Sequence, residues 1–183
     1  DYTDFRYETN AADQYEHKRE MKSLDRVFDI MVDFLESTGA CSVAMAQGGD
    51  FIGGADGTNA GRLKLLRKAM NTFVCATDRP FRFFGRINED VNAYTCGARR
   101  GMLFFTIPNV AINQKQTQSN AGGMTDLYLD SGTYVKSFYS VMYAPSCVKV
   151  KDMGPVYRRM HHSVNWKNTA PCILDESHRK PRP

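Results

Sequence analysis

The sequence predicts a single domain with an α/β sheet sandwich, and three observations lead to that fold class. Two long segments repeat apolar residues at every third or fourth position, which is typical of amphipathic helices. Short apolar runs rich in β-branched and aromatic residues lie between and beside them, which is typical of buried strands. The 183 residues, 42% of them apolar, suffice for one hydrophobic core.

The elements follow from the spacing of apolar residues and from the positions of glycine and proline. A helix is predicted from Glu16 to Glu36, with Gly39 beyond its end, and a second from Asp126 to Tyr143 despite Gly132. A short basic helix or turn is predicted from Arg62 to Met70. The predicted strands are Cys41–Ala46, Thr72–Ala76, Met102–Ile107, which Pro108 closes, and Val148–Val150.

Composition excludes several classes of protein. No run approaches the roughly 18 uninterrupted apolar residues that a membrane-spanning helix needs, so the chain is expected to be soluble. The five cysteines are widely spaced and form no CxxC pair, which favours buried thiols in a reducing cytoplasm over a zinc cage.

Charge is distributed unevenly along the chain. Residues 1–60 hold 5 Lys/Arg against 12 Asp/Glu, a balance of −7, whereas residues 61–183 hold 19 against 8, a balance of +11. A cationic second half would attract a polyanion or the phosphates of a nucleotide sugar, although two faces of opposite sign would give the same counts.

A glycine-rich segment follows the first predicted strand. Five glycines lie between Gln47 and Gly57, and this segment matches neither the Walker pattern nor GxGxxG. Backbone amides next to Gly48 and Gly49 could approach a phosphate or sugar, and Asp50 could accept hydrogen bonds from sugar hydroxyls. A flexible turn explains the same composition.

Two adjacent carboxylates, Glu89 and Asp90, lie between Asn88 and a short apolar stretch, close to Arg86. Adjacent side chains diverge on a helix or strand, so one carboxylate could act as the base that removes a proton from an acceptor hydroxyl while the other anchors the segment. The alternative is a helix start on the surface, with Asn88 as the cap and two acids that the helix dipole favours.

The late segment around the single tryptophan offers further candidates. His161 and His162 are consecutive, so on a strand they would not readily share one metal, and at most one is expected to be a ligand; a structural or proton-shuttling histidine is the alternative. Trp166 is either a core residue or a platform for a base or sugar, with Lys167 beside it for phosphate.

Two polar segments are ambiguous. Residues 106–125 are rich in Gln, Asn, Ser and Thr, and a solvated loop is favoured over a surface that recognises hydroxyls or base edges. Lys64, Arg67 and Lys68 form a basic stripe, for which a solvated helix face is favoured over contact with a phosphate backbone.

Four segments together resemble the TET-associated glycosyltransferase family, which occurs in phages and as the C-terminal domain of a vertebrate oestrogen-responsive growth regulator. They are AQGGDFIGG (46–54), FFGRINEDVNAYT (83–95), TQSNAGGMTDLYLDSGTYVKSFYSVMYAPS (117–146) and RMHHSVNWKNTAPCIL (159–174). The resemblance covers nearly the whole chain, in the family's order.

The resemblance implies a GT-A-like glycosyltransferase fold, with a mixed sheet flanked by helices. It implies a nucleotide-sugar donor such as UDP-glucose or UDP-GlcNAc, a divalent cation (Mg²⁺ or Mn²⁺), and hydroxymethylated pyrimidines in phage DNA, or protein Ser/Thr, as acceptor. Carried onto this chain, Gly48, Gly49 and Asp50 form the glycine loop, Asn88, Glu89 and Asp90 the acidic motif of an inverting enzyme, and His161 or His162 the metal ligand.

One departure from the family pattern concerns the metal. A DxD-type motif is expected before the glycine loop, and the early acids Asp1, Asp4 and Glu8 do not form it. Residues 1–183 are therefore expected to be the acceptor-side portion of a longer GT-A domain that lacks part of the N-terminal nucleotide-binding half. The competing hypothesis is a nucleic-acid-binding module, or a degenerate domain, without catalysis.

Overall fold

The computed structural model describes residues 2–8, 18–47, 72–114, 125–153, 159–170 and 181. Three α-helices and seven strands lie in these ranges, followed by one short 3-10 helix. The helices are α1 (Leu24–Ser37), α2 (Glu89–Ala98) and α3 (Thr125–Tyr143). The strands are β1 (Tyr2–Glu8), β2 (Lys18–Glu20), β3 (Ala40–Gln47), β4 (Phe73–Cys75), β5 (Leu103–Gln114), β6 (Val148–Met153) and β7 (Arg159–Val164), and the 3-10 helix is Trp166–Thr169.

Five strands form a mixed sheet in the order β2-β1-β5-β3-β4. The central pair, β3 and β5, is parallel, and the other neighbours are antiparallel. Residues 40–46 of β3 are all buried, as expected for an apolar strand in the middle of a sheet with helices on its faces. The α/β class predicted from the sequence is therefore confirmed.

Helices α1 and α2 cover opposite faces of this sheet. Phe104 and Phe105 are neighbours on β5, so their side chains point to opposite sides. Phe105 packs in the cluster that contains Met31 and Leu35 of α1, whereas Phe104 packs in the cluster that contains Tyr94 of α2. The two clusters enclose the sheet from both sides.

The prediction that Pro108 closes its strand is wrong, because β5 continues to Gln114. The register between β3 and β5 moves from Met45↔Ile107 to Ala46↔Ala111, so an irregularity in the ladder contains the proline. Proline has no N–H to donate, and an irregularity of this kind is where a sheet tolerates it. The loop that was preferred for residues 106–125 is also wrong for residues 106–114, because these belong to β5.

The first helix begins later than predicted. Lys18–Glu20 is a strand that pairs with β1 in the register Arg6↔Glu20, and α1 starts at Leu24. Met21 lies between this strand and α1, so the predicted helix is confirmed only from Leu24 onward, and Glu16 lies outside the described residues. The second long helix is confirmed over nearly the predicted range.

A separate antiparallel hairpin, β6–β7, packs on α3. Val148 is fully buried with Ala144 and Cys147, and Val164 lies against the same cluster. Ser137 of α3 donates a hydrogen bond to the carbonyl of Met160 (3.1 Å). The described helices include none with the length and hydrophobicity that a bilayer-spanning segment needs.

Candidate functional site at the start of α2

The segment that leads into α2 is held in an unusual backbone conformation. Gly85 has φ +86°, and a Cβ there would lie 2.6 Å from the side-chain nitrogen of Asn92, so glycine is required both by conformation and by space. Asn88 also has a positive φ of 51°, which asparagine tolerates better than most residues. The backbone N–H of Arg86 donates to the hydroxyl of Tyr139 on α3 (3.2 Å). The turn is thus fixed before the acids of α2 begin.

Asn88 connects three elements of the protein. Its side-chain nitrogen donates to the carbonyl of Lys136 (2.6 Å) and to the hydroxyl of Ser140 (3.1 Å), both on α3, and lies 3.5 Å from Nδ1 of His162 on β7. We call these four residues the Asn88 junction. The Asn88 side chain is 7% exposed, so this amide group is part of the protein interior.

Asn88 occupies the N-cap position of α2, as the helix-start interpretation predicted, but its side chain makes no capping hydrogen bond. An amide nitrogen carries two hydrogens, and both are accounted for by the two short contacts to α3. The contact with His162 is longer and is a close approach rather than a strong hydrogen bond. A donor or acceptor role for Asn88 toward a ligand stays a prediction.

The two carboxylates diverge as adjacent helical residues should. Glu89 is exposed, whereas Asp90 is half-buried, and both belong to the first turn of α2. The helix start that the alternative interpretation predicted is therefore present, and both acids are placed where the helix dipole favours negative charge. The same geometry makes Asp90, rather than Glu89, the carboxylate that enters a partly enclosed environment.

The two histidines lie closer together than strand alternation predicts. Their ring centroids are 4.4 Å apart, with an angle of 33° between the ring planes. His161 turns back on the chain because its Nδ1 donates to the carbonyl of His162 (2.8 Å). A carbonyl only accepts, so the proton of neutral His161 lies on Nδ1 and its Nε2 is left as the basic nitrogen. Which of the two imidazoles would bind a metal stays a prediction.

The predicted divalent cation stays a prediction. In that part of the chain, no three His, Cys, Asp or Glu side chains lie close enough together to hold a cation. Hard cations such as Mg²⁺ prefer several oxygen ligands, and one imidazole nitrogen does not provide them. The described residues by themselves therefore do not provide the ligands of a divalent cation.

Trp166 packs against α2 rather than standing free as a platform. Its ring centroid lies 5.6 Å from that of Tyr94, and it belongs to the cluster that includes Val91 and Phe104. Trp166 is partly buried in this contact, and its role as a platform for a base or sugar stays a prediction. Lys167 is exposed, and its backbone N–H donates to the side chain of Asn165 (3.2 Å).

Two tyrosines of α3 extend the site and were not identified from the sequence. The hydrogen bond from the Arg86 backbone lowers the pKa of Tyr139, and a hydrogen bond from the Tyr143 hydroxyl lowers it further. The same bond raises the pKa of Tyr143. Spacing of four residues on a predicted helix was the signal that could have paired them.

Other predicted residues lie outside the described part of the chain. These include Gly48, Gly49 and Asp50 of the glycine loop and the basic stripe Lys64, Arg67 and Lys68. Strand β3 ends at Gln47, directly before the glycine loop. The role of the loop in binding phosphate or sugar stays a prediction. Arg86 is described and exposed, with its backbone N–H engaged by Tyr139.

Comparison with known protein families gives the chain its assignment. A model of the TET-associated glycosyltransferase family matches residues 1–123, more than half of the 183 residues. The chain belongs to this family. The match includes the five-stranded sheet, α1, α2 and the acids at the start of α2, while α3 and the β6–β7 hairpin follow it. Neither the curated proteins nor the solved structures searched contain a match.

Proposed function

We propose that this glycosyltransferase moves a sugar from a nucleotide-sugar donor, such as UDP-glucose or UDP-GlcNAc, to the hydroxyl of a hydroxymethylated pyrimidine in DNA, on a GT-A-like fold. Membership of the family supports sugar transfer in general. The observation that carries the proposal is the 3.5 Å approach of Asn88 to His162, because it brings the acidic motif and the late histidines, far apart in sequence, to one place.

Asp90 is the base in this proposal. A carboxylate within hydrogen-bond reach of an acceptor hydroxyl removes its proton as the oxygen attacks the anomeric carbon, and it works best where the surroundings are partly dry. Asp90 is half-buried and follows a turn that hydrogen bonds to α3 hold in position, whereas Glu89 is exposed. Direct attack by the acceptor oxygen inverts the configuration of the sugar.

The proposed site for the nucleotide-sugar donor consists of Arg86 and the glycine loop. Arg86 is exposed beside the acidic motif, where its guanidinium could stabilise the charge that develops on the leaving diphosphate. Gly48, Gly49 and Asp50 would bind donor phosphate or sugar hydroxyls, and this assignment depends on the resemblance alone. The need for Mg²⁺ or Mn²⁺ is likewise a proposal.

The acceptor is proposed to be DNA because the second part of the chain is cationic. Residues 61–183 carry a balance of +11, which favours association with a polyanion through release of its counterions. Protein Ser/Thr acceptors and a module that binds nucleic acid without catalysis are the competing functions. Each of these functions predicts a different result in a sugar-transfer assay.

The decisive experiment is a sugar-transfer assay with a matched pair of variants. Purified protein is incubated with a UDP-sugar and an oligonucleotide that contains hydroxymethylcytosine, and the product is identified by mass spectrometry. We expect Asp90→Asn to lower the transfer rate by about 10²–10⁴-fold, the usual contribution of a general base. Glu89→Gln removes a neighbouring exposed carboxylate and is expected to retain the rate within about threefold.

Each other outcome identifies a different function. Equal loss in both variants would show that Asp90 is not the base. Transfer to a Ser/Thr peptide but not to DNA would establish the protein acceptor. Tight DNA binding with no transfer to either acceptor would support the non-catalytic module, and a product of retained configuration would exclude direct attack assisted by Asp90.

A further inference from the structure

The β6–β7 hairpin presents two lysines on the face opposite Val148, and they line a groove together with Cys147 and Val164. Lys149 and Lys151 alternate along β6 with the inward-facing Val148 and Val150, and both lysines are exposed. In the ladder Lys149 lies opposite Ser163 of β7. The groove has a volume of about 420 Å³ and begins where β6 starts and β7 ends.

The lining of this groove consists mainly of groups that bind phosphate. Its polar residues are Lys149, Lys151, Ser146, Ser163, Asn165 and Asn168. Lysine, serine and asparagine side chains are among those that contact the phosphates of nucleic acids most often. Of the described residues that line the groove, none is acidic and none is aromatic.

The lysines are available for an external anion. Neither ammonium group has an acidic partner among the described residues. Two of the polar side chains are held in place locally, because Asn168 donates to the carbonyl of Ser146 (2.8 Å) and Asn165 accepts from the backbone of Lys167 (3.2 Å). The groove wall is therefore ordered before a ligand arrives.

A strand of linked phosphates fits this surface better than a single nucleotide does. Pockets for small ligands are mostly apolar and bind a base through aromatic or aliphatic walls, whereas six of the eight residues that line this groove are polar, and two of those six are lysines. Lys149 and Lys151 are two residues apart on one strand, so their backbones are separated by roughly 6.8 Å along an open surface. Successive phosphates of an extended strand can be contacted in this way.

We infer that the outer face of the β6–β7 hairpin binds the phosphate backbone of a nucleic-acid strand through Lys149 and Lys151. The inference depends on the proposed function in one respect, which is that the bound nucleic-acid strand is the acceptor of the sugar. On β7, Ser163 of the groove is the immediate neighbour of His162 of the Asn88 junction. The hairpin would thus hold the acceptor backbone on one face, while its other face contributes His162 to the Asn88 junction.

The test measures oligonucleotide affinity by fluorescence anisotropy over a series of salt concentrations. The Lys149→Ala/Lys151→Ala variant is expected to bind about tenfold more weakly at physiological salt, and the slope of log K against log salt is expected to fall in magnitude by about 1.4–1.8, the contribution of two phosphate contacts. The Lys22→Ala/Arg26→Ala variant removes two exposed cations near the start of α1 and should keep the slope of the unmodified protein.

Two further measurements make the result decisive. The Lys149→Arg/Lys151→Arg variant keeps both charges and should retain most of the affinity, which shows that the alanine variant fails through charge rather than through misfolding. Binding of UDP alone should be unchanged in the alanine variant. If UDP affinity falls while oligonucleotide affinity does not, the groove is a nucleotide site and the inference is overturned.

Failure of this inference can be told apart from failure of the proposed function. Absence of oligonucleotide binding, or a loss no larger than that of the Lys22→Ala/Arg26→Ala control, overturns the groove regardless of sugar transfer. A specific loss of binding in a protein that transfers no sugar supports the groove and contradicts the proposed function.

Discussion

The two faces of the β6–β7 hairpin differ in nearly every physical property, although the same strands form both. On the inner face, Val148 is fully buried against α3, and His162 approaches Asn88. On the outer face, Lys149 is exposed and lines a groove with Ser163. Because side chains alternate along a strand, neighbouring residues point to opposite faces. One set packs the hairpin against the protein, and the other set is available to bind an anionic ligand.

This difference shows how the protein can separate stability from binding within one element. The inner face is constrained by packing and by hydrogen bonds to α3, so its residues tolerate little change. The outer face contributes little to the core, so its charges can be chosen for an anionic ligand at small cost in folding free energy. This difference between the two faces can be tested by placing the same side chain on each of them.

The largest effect is expected when the same residue is placed on the two faces in turn. Val148→Asp buries a carboxylate in a fully apolar cluster and should lower the free energy of unfolding by at least about 4 kcal/mol. Lys149→Asp, one position later, places the same carboxylate in solvent and should cost less than about 1 kcal/mol. Urea denaturation measures both, and similar losses would contradict the assignment of the faces.

An intermediate effect is expected at the Asn88 junction. Asn88→Ala and Asn88→Gly both remove the hydrogen bonds to Lys136 and Ser140, at a cost of about 1–3 kcal/mol. Alanine also places a Cβ in the left-handed region, which costs about 1 kcal/mol more. Thermal unfolding should therefore rank glycine above alanine, and the reverse order would contradict a conformational role for this residue.

The smallest effect concerns the alkaline limit of stability. Burial raises the pKa of the Cys147 thiol above its ordinary value of 9.0, so the folded protein favours the neutral thiol. This contribution to stability is fully present below pH 9 and is lost as pH rises through the raised pKa.

A variant with a matched control isolates that contribution. Cys147→Ala should show a shallower decline of the unfolding free energy above pH 9 than the unmodified protein. Cys75→Ala, at an exposed position on the edge strand β4, is the control. A slope for Cys147→Ala no shallower than that of the control would contradict the prediction.

Much of the secondary structure could be predicted because it depends on local pattern. The apolar run of β3 and the helical spacing of α3 place those elements close to their observed bounds. The errors at Pro108 and at Lys18–Glu20 arose where pairing with another strand determines the secondary structure. Strand β5 continues past Pro108 because it pairs with β3 and β1, and Lys18–Glu20 is a strand because it pairs with β1.

The candidate site was predicted in its residue types but not in its connections. The alternation of adjacent side chains led to one carboxylate entering the structure and one facing solvent, as the exposure of Asp90 and Glu89 shows. Nothing local in the sequence connects Asn88 to Ser140 and His162, which are 52 and 74 residues away. That connection depends on the packing of α2, α3 and β7 together.

By itself the sequence determined the fold class, the family and the periodic elements, because these depend on hydrophobic spacing and on motifs that can be recognised without knowing which residues are in contact. Only the tertiary structure decided that the Asn88 side chain bonds to α3 rather than to its own helix, that Trp166 packs on Tyr94, and that the lysines of β6 line a groove. The physical reason is that hydrogen bonds and grooves form between elements, and their geometry is set by packing rather than by neighbours in the chain.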